Sequence, residues 1–162
     1  MNVTVDVDNT CPNLWAPETE VIKSWVCHTL ESTAKEKSQH HNSTCISIRI
    51  VNEEESAKLN GQYRGKDKAT NVLSFSPEIP EQFLSTMNEQ PLGDLAICAS
   101  VVTDEARAQD KSAIAHWAHM VVHGILHLRG YDHVDENDAS VMEEFEIQIL
   151  HQLGYENPYE NH

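Results

Sequence analysis

Two histidines spaced four residues apart and followed by a glycine constrain this chain more than any other feature. His123 and His127 fall on one helix face, one turn apart, because an α-helix has about 3.6 residues per turn. Gly130 follows where a helix ending in a left-handed residue favours glycine. A reversal there would bring His133 back over the helix end. The spacing therefore predicts a metal site of three imidazoles, with one tetrahedral position left for water.

The segment matches the metzincin zinc signature H-E-x-x-H-x-x-G-x-x-H at every position except one. Gly124 stands where that signature has the glutamate that serves as general base, and a glycine cannot move a proton. An isolated histidine pair is more often ordinary packing or surface, but the third histidine and the glycine favour metal binding. The pattern indicates one catalytic zinc ion and argues against a peptidase mechanism.

Two more histidines lie on the same face of the predicted metal helix, which we expect from about 112 to 128. His116 is expected to hydrogen-bond to neighbouring backbone or carboxylates, whereas His119, one turn before His123, is a candidate proton carrier or substrate contact. The opposite stripe is expected to be buried and comprises Ile114, Trp117, Val121, Ile125 and Leu128.

Apolar residues recur with strand and helix periods along the rest of the chain. Alternation predicts strands at Val3–Val7, Ile46–Ile50, Asn71–Ser76 and Gly93–Cys98. Helical spacing predicts helices over about 17–37, 53–60, 99–109, 112–128 and 136–153. This order favours an α+β fold, a mixed layer of about four strands and five helices that includes a zincin-like metal helix.

Several boundaries follow from local signals. Asn52 should cap the second helix, with Glu55 at the third helical position as in a capping box, and Gly61 should end that helix. Residues 77–91 hold three prolines and read as a mobile surface loop that could flank a groove. Residues 155–162 are expected to form a loose tail. Five residues of the last helix should face the core: Val141, Met142, Phe145, Ile149 and Leu153.

The length of 162 residues fits one domain, over 1–162, with a core that needs no disulfide. No stretch approaches the length of a membrane helix, and no basic segment leads into an apolar run. The four cysteines lie far apart with no Cys-x-x-Cys pair. We therefore expect a soluble protein of the reducing cytoplasm, and neither a disulfide framework nor a thiolate zinc site.

A formal charge of −15 would ordinarily argue against nucleic-acid binding, which draws affinity from Lys and Arg. The objection weakens because Arg64, Lys66 and Lys68 cluster within five residues. Many acids lie elsewhere, in the C-terminal quarter: Glu143, Glu144, Glu146, Glu156 and Glu160.

Four stretches together closely resemble the YbeY family, the metal-dependent bacterial endoribonucleases of ribosomal RNA maturation. They are Leu59–Asn60, Tyr63–Phe75, Gly93–Leu95 and His116–His133, and the segment from Met142 to Tyr155 is similar to the family's last helix. Ala69 stands where proline is common in the family, which concerns loop rigidity only.

The resemblance implies that His123, His127 and His133 hold one zinc ion and that Arg64 is functionally important. It also implies a single-stranded ribosomal RNA substrate, a part in maturing the 3′ end of 16S ribosomal RNA, and a part in ribosome quality control. The implied partners are the 30S subunit or 70S ribosome, a small-subunit ribosomal protein and the assembly GTPase Era.

These residues suit phosphodiester hydrolysis. Zinc held by three neutral imidazoles can lower the pKa of water from about 15.7 to about 7, so a carboxylate base is not required. The planar fork of Arg64 matches two phosphate oxygens, although a salt bridge with Asp67 or another acid is the alternative role. Lys66 and Lys68 are expected to follow the RNA backbone. Water and the neighbouring 2′-hydroxyl both stay open as nucleophile.

Two rival functions remain at this point. The first is a metallopeptidase or amidase on the same histidine scaffold, against which Gly124 counts. The second is a ribosome assembly factor that does not cut RNA and in which the metal is structural.

Overall fold

The computed structural model describes residues 2–34, 43–77, 79–84, 86–131 and 135–160. Within them, four strands and six helices follow one another along the chain. They are β1 (Asn2–Asn9), α1 (Thr19–Ala34), β2 (Ser43–Val51), α2 (Glu53–Arg64), β3 (Val72–Phe75), α3 (Glu81–Leu84), β4 (Gln90–Cys98), α4 (Ala99–Ala108), α5 (Ala113–Leu128) and α6 (Glu136–Gln152). Residues His40 and His41, expected in a polar loop, lie outside the described residues.

The four strands form one mixed sheet in the order β1-β2-β4-β3. Strands β1, β2 and β4 are parallel, and β3 runs antiparallel to β4. On β2, Ile46, Ile48 and Ile50 are buried and alternate with more exposed residues, so one face of this strand lies on the core. The sheet and five helices of at least ten residues confirm the predicted α+β fold.

Helix α5 lies at the centre of the molecule, against β3 and β4 and against three other helices, α1, α4 and α6. Its residues from His116 to Val122 are all buried, so this part of the helix buries its whole circumference rather than one stripe. The expectation that Ile114 is buried is wrong. It lies in the first turn, before the helix enters the core, and is 37% exposed.

Helix α2 begins as predicted and ends four residues later than predicted. The Asn52 side chain accepts a hydrogen bond from the Glu55 backbone N–H at 2.9 Å. Gly61 does not end the helix; it lies inside it, where an added Cβ would meet the Asp67 carboxylate. The helix ends at Gly65, whose φ of 71° is left-handed and therefore favours glycine.

The segment 77–91 is more structured than predicted. It contains the one-turn helix α3, and β4 already begins at Gln90, before Pro91. Strand β3 pairs with β4 only from Asp94 to Ile97. Among the described residues, β4 therefore has no partner strand on the β3 side at Pro91, which accommodates a residue without an N–H.

Helix α6 starts as predicted, because the Asp135 side chain accepts from the Asp138 N–H at 2.8 Å. Val141 was expected to face inward and is instead 57% exposed. The residues that follow α6, up to residue 160, pack against the rest of the protein and do not form the predicted loose tail. The Tyr155 ring packs edge-on against Trp25 at 6.1 Å, and the Lys111 ammonium donates to the Pro158 carbonyl.

Two sequence expectations concern the whole chain. The four cysteines are free thiols, as the absence of paired spacing predicts. Among the described residues, no helix combines the length and the apolar character needed to cross a membrane.

Candidate metal centre and adjoining cleft

The C-terminal end of α5 reverses at Gly130, as predicted. Gly130 has a φ of 91°, and its N–H donates to the His127 carbonyl at 3.0 Å. The Tyr131 N–H donates to the Leu126 carbonyl at 3.0 Å, which completes a Schellman motif. His133, predicted as the third metal ligand, lies outside the described residues, and its role stays a prediction.

His123 and His127 bring two ring nitrogens together at the end of α5. Their Nε2 atoms are 3.1 Å apart, and the ring planes are nearly perpendicular, at 81°. Two nitrogens at about 2.05 Å from one tetrahedral zinc ion would be about 3.3 Å apart, so the observed distance fits a shared cation. The last turn of a helix also carries partial negative charge, which favours a cation there.

Glu146, on α6, orients the ring of His123. Its Oε1 lies 2.5 Å from Nδ1 of His123, and the carboxylate is completely buried. Burial opposes ionisation, but the hydrogen bonds from His119 and His123 outweigh it and lower the pKa of Glu146 to about 2. Because the carboxylate is ionised, Nδ1 of His123 carries the proton, and in the neutral ring Nε2 has the lone pair that a metal needs.

The second oxygen of Glu146 is also occupied. Oε2 lies 3.3 Å from Nε2 of His119 and accepts a further hydrogen bond from the Tyr159 hydroxyl. Burial and the neighbouring Glu146 carboxylate raise the pKa of Tyr159, so the phenol keeps its proton and acts as a donor. Three side chains from two parts of the chain therefore hold one buried carboxylate in place.

A second arrangement of possible ligands lies beside the first. His119, His123 and Glu146 each offer one ligand atom, and these atoms lie within 4.8 Å of one another, so this group could hold a metal ion. The two arrangements share His123 but use it differently. A cation between the Nε2 atoms of His123 and His127 leaves the hydrogen bonds of Glu146 intact, whereas a cation on Glu146 would replace them.

His116 lies deeper along α5 and hydrogen-bonds to a carboxylate, as expected. Its Nε2 lies 2.9 Å from Oε1 of Glu105, which also accepts from the Asn71 side-chain amide at 3.1 Å. Burial lowers the pKa of His116, although the Glu105 hydrogen bond and charge act in the opposite direction. His116 and His119 line a cavity of about 360 Å³, separate from the cleft described next.

His123 and His127 open onto a cleft of about 660 Å³. Arg64, from the last turn of α2, lines the same cleft, so the structure places the predicted arginine beside the predicted histidines. Among the described residues, Arg64 forms no ion pair, and no acidic side chain lines this cleft. Lys66 and Lys68 are exposed in the loop after α2, and neither is among these lining residues.

Gly124 faces the sheet rather than the cleft. A Cβ at this position would lie 2.8 Å and 3.0 Å from the two methyl carbons of Leu95, and 3.4 Å from Val72. Leu95 is fully buried on β4 and has little room to move. The residue that replaces the peptidase glutamate thus allows α5 to approach the sheet closely.

Sequence reasoning missed the roles of Glu146, Glu105 and Tyr159. Glu146 was counted among the C-terminal acids and lies in the segment that resembles the family's last helix, but it was given no role in the site. The available signal was its position in an apolar stripe of α6, four residues after Met142 and three before Ile149. An acid in such a stripe is buried only when it has partners. Tyr159 had no such signal, because it lies in the segment taken as a tail.

Two sequence comparisons indicate the same family, and a structural comparison shows a shared fold. A family model for the endoribonuclease YbeY matches residues 8–154. An endoribonuclease YbeY from Acinetobacter baylyi is 57% identical over 116 residues, which cover 71% of this chain and 73% of that protein. The solution structure of a Thermotoga maritima protein has a TM-score of 0.56 at 21% identity, covering 98% of this chain and 99% of that one, which shows a shared fold. Because the family model spans most of the chain, this protein belongs to the YbeY endoribonuclease family.

Proposed function

We propose that this protein is a zinc-dependent endoribonuclease that cuts single-stranded RNA in the cleft beside α5. The observation that carries the proposal is that Arg64, His123 and His127 line the same cleft. A metal-binding pair and a permanent cation within one cleft suit phosphodiester cleavage, because both can offset the negative charge that grows on the phosphate oxygens. Family membership supports the same activity.

In this proposal His123, His127 and His133 hold the metal. Zinc held there would make hydroxide available at neutral pH, because it can lower the pKa of water from about 15.7 to about 7. Glu146 keeps the ring of His123 in the tautomer that presents Nε2 to the cleft. The choice of the Nε2 pair over the His119–Glu146 group is supported by the full burial of Glu146, which keeps substrate away from it.

Arg64 binds the phosphate that is cut. Its guanidinium forms no ion pair among the described residues, so the fork is available to two phosphate oxygens. The expected alternative, a salt bridge to Asp67, is not formed. Asp67 instead lies over Gly61 on α2. As negative charge grows on the phosphate oxygens, a guanidinium already in position offsets it.

The acidic composition does not prevent RNA binding in this cleft. No acidic residue lines it among the described residues, so the net charge of −15 is carried elsewhere. Lys66 and Lys68 continue the basic edge beyond Arg64 and are proposed to follow the strand by contacts with its phosphates. The cytoplasm is the proposed compartment.

The biological substrate in this proposal is ribosomal RNA. We propose maturation of the 3′ end of small-subunit RNA and quality control of defective ribosomes, with the ribosome, a small-subunit ribosomal protein and the GTPase Era as partners. These roles rest on family membership. Cells that lack the protein should accumulate unprocessed 3′ ends, and the catalytically inactive variants described next should fail to restore processing.

The cleavage activity is tested by comparing Arg64→Glu with His123→Ala on single-stranded RNA. Both variants should lose cleavage, while Arg64→Glu alone should retain zinc and the wild-type unfolding midpoint. Equal cleavage by all three proteins would identify a contaminating nuclease. Mapping of the product ends distinguishes nucleophiles, because attack by the neighbouring 2′-hydroxyl leaves a 2′,3′-cyclic phosphate and attack by water does not.

A further inference from the structure

An exposed aromatic side chain lies on the rim of the metal cleft. Tyr63, in the last turn of α2, is 66% exposed although it is large. Its ring lies 4.7 Å from that of Phe75 on β3, with the planes inclined at 58°. Single exposed aromatic residues are common on protein surfaces. This one, however, lines the cleft together with Phe75, Arg64 and the two metal-binding histidines.

The surrounding structure fixes Tyr63 in this position. The ring packs against Phe75, and its high exposure shows that much of its surface still faces solvent. The end of α2 is held by hydrogen bonds from the backbone N–H groups of Gly65 and Lys66 to the Gly61 and Asn60 carbonyls, at 3.2 and 3.3 Å. A ring that is already positioned loses little conformational freedom when a flat ligand stacks on it.

We propose that Tyr63, supported by Phe75, forms a subsite that stacks one unpaired nucleobase of the RNA strand. The inference rests on the proposed function. Arg64 lines the same cleft, so a phosphate bound at Arg64 would have a base of the same strand within reach of Tyr63. Unpaired bases stack on aromatic side chains, whereas a duplex hides its base faces. The subsite therefore selects single strands with little regard to sequence.

An apolar protein partner is the other kind of ligand that an exposed aromatic residue such as Tyr63 could bind. The charges around Tyr63 favour RNA. Its neighbour Arg64 is a cation without an ion pair among the described residues, and the cleft they share lacks acidic lining there. An RNA strand can stack a base on the ring and bind the guanidinium through a phosphate, whereas an apolar peptide could contact only the ring.

The test compares cleavage kinetics of zinc-loaded Tyr63 variants on a short single-stranded RNA. Tyr63→Ala and Tyr63→Leu should lower kcat/KM about 5- to 150-fold, mainly through KM, because base stacking contributes on that order. Tyr63→Phe keeps the ring and should stay close to wild type. Phe83→Ala is the matched control, since Phe83 is 53% exposed on α3 and is not among the residues lining the cleft.

A second arm removes the base instead of the ring. A series of substrates is made in which a single abasic nucleotide is placed at successive positions around the cleavage site. At one of these positions, the kcat/KM of the wild-type protein should fall by the same factor as that expected for Tyr63→Ala. At that position the abasic substrate should cause no further loss in Tyr63→Leu, because the interaction is already absent. An equal abasic penalty in both proteins, or wild-type kinetics for Tyr63→Ala, would overturn the subsite and leave a protein contact as the role of Tyr63.

The outcomes separate this inference from the proposed function. Absence of RNA cleavage by the wild-type protein would defeat the proposed function. Cleavage by wild type that is unchanged in the Tyr63 variants would defeat only the subsite. Zinc content and the urea midpoint are measured for each variant, so a loss of fold is recognised directly.

Discussion

Glu146 accepts a hydrogen bond from Nδ1 of His123 at 2.5 Å, while Nε2 of the same ring lies 3.1 Å from Nε2 of His127. One imidazole thus connects a buried carboxylate on α6 with the cleft at the end of α5. Carboxylates that bind the far nitrogen of a ligand histidine fix its orientation and raise its basicity. The proposed metal centre would therefore depend on a residue that does not line the cleft.

The first prediction concerns which histidines bind zinc. His127→Ala should abolish stoichiometric zinc binding, because it removes one of the two converging nitrogens. His119→Ala should retain zinc with weaker affinity, because His119 acts only through Glu146. Zinc content after dialysis and chelator competition measure both effects. Zinc retained by His127→Ala and lost from His119→Ala would place the metal on the His119–Glu146 group instead.

The second prediction concerns the carboxylate behind His123. Glu146→Gln keeps the shape of the side chain but removes its charge, and should weaken zinc binding about 10- to 100-fold. Glu144→Gln makes the same change on the exposed side of α6 and serves as the control. If the two variants bind zinc equally, the Glu146 hydrogen bond has no role in the metal centre.

The third prediction concerns the hydroxyl group of Tyr159. Tyr159→Phe removes one of three hydrogen bonds to Glu146, so its effect on zinc affinity should have the same direction as Glu146→Gln but be smaller. Tyr155→Phe is the matched control in the same segment, where the ring packs on Trp25. Titration with a zinc chelator measures both variants, and identical affinities would show that the C-terminal segment does not support the site.

The fourth prediction concerns Gly124. Gly124→Glu should lower the free energy of unfolding by at least about 3 kcal/mol, because it inserts a carboxylate against buried Leu95. It should not create peptidase activity, since position 124 faces the sheet. Ile114→Glu, at the exposed start of the same helix, should change the free energy of unfolding by about 0.5 kcal/mol or less. Urea unfolding and a peptide-cleavage assay test both statements, and a stable, peptide-cleaving Gly124→Glu protein would refute them.

The fifth prediction concerns pH. Burial lowers the pKa of His116 below its ordinary value of 6.5, so the unfolded chain binds a proton more readily than the folded protein. The neutral buried form therefore contributes stability above about pH 6.5 that is lost as the pH falls below that value. His116→Gln cannot titrate and should show a shallower decline. Urea midpoints in excess chelator between about pH 5.5 and 8 measure this, and parallel pH profiles would contradict it.

Sequence reasoning succeeded where the signal is local. The i, i+4 spacing of His123 and His127 and the glycine at 130 fix a helix and its end, and the structure shows both. The capping residues Asn52 and Asp135 are local in the same way. A glycine near a helix end is less clear. Gly61 and Gly65 look alike in sequence, but only Gly65 takes the left-handed conformation that ends the helix, whereas Gly61 lies inside the helix against Asp67.

The unpredicted parts depend on contacts between distant residues. Glu146 meets His123 across 23 residues and His119 across 27, and no local pattern specifies such a pairing. The burial of His119 follows from the packing of α6 and of Tyr159 over α5. The importance of Arg64 was inferred from the family resemblance, because no local pattern indicates that the end of α2 and the end of α5 line one cleft.

The central claim is that the metal lies between the cleft-facing nitrogens of His123 and His127 while Glu146 stays outside its ligand sphere. Anomalous diffraction at the zinc edge from crystals of the zinc-loaded protein tests this most directly. The account predicts one peak within about 2.0–2.1 Å of both Nε2 atoms, with Glu146 still bonded to Nδ1 of His123. A peak coordinated by the Glu146 carboxylate and His119 would contradict it.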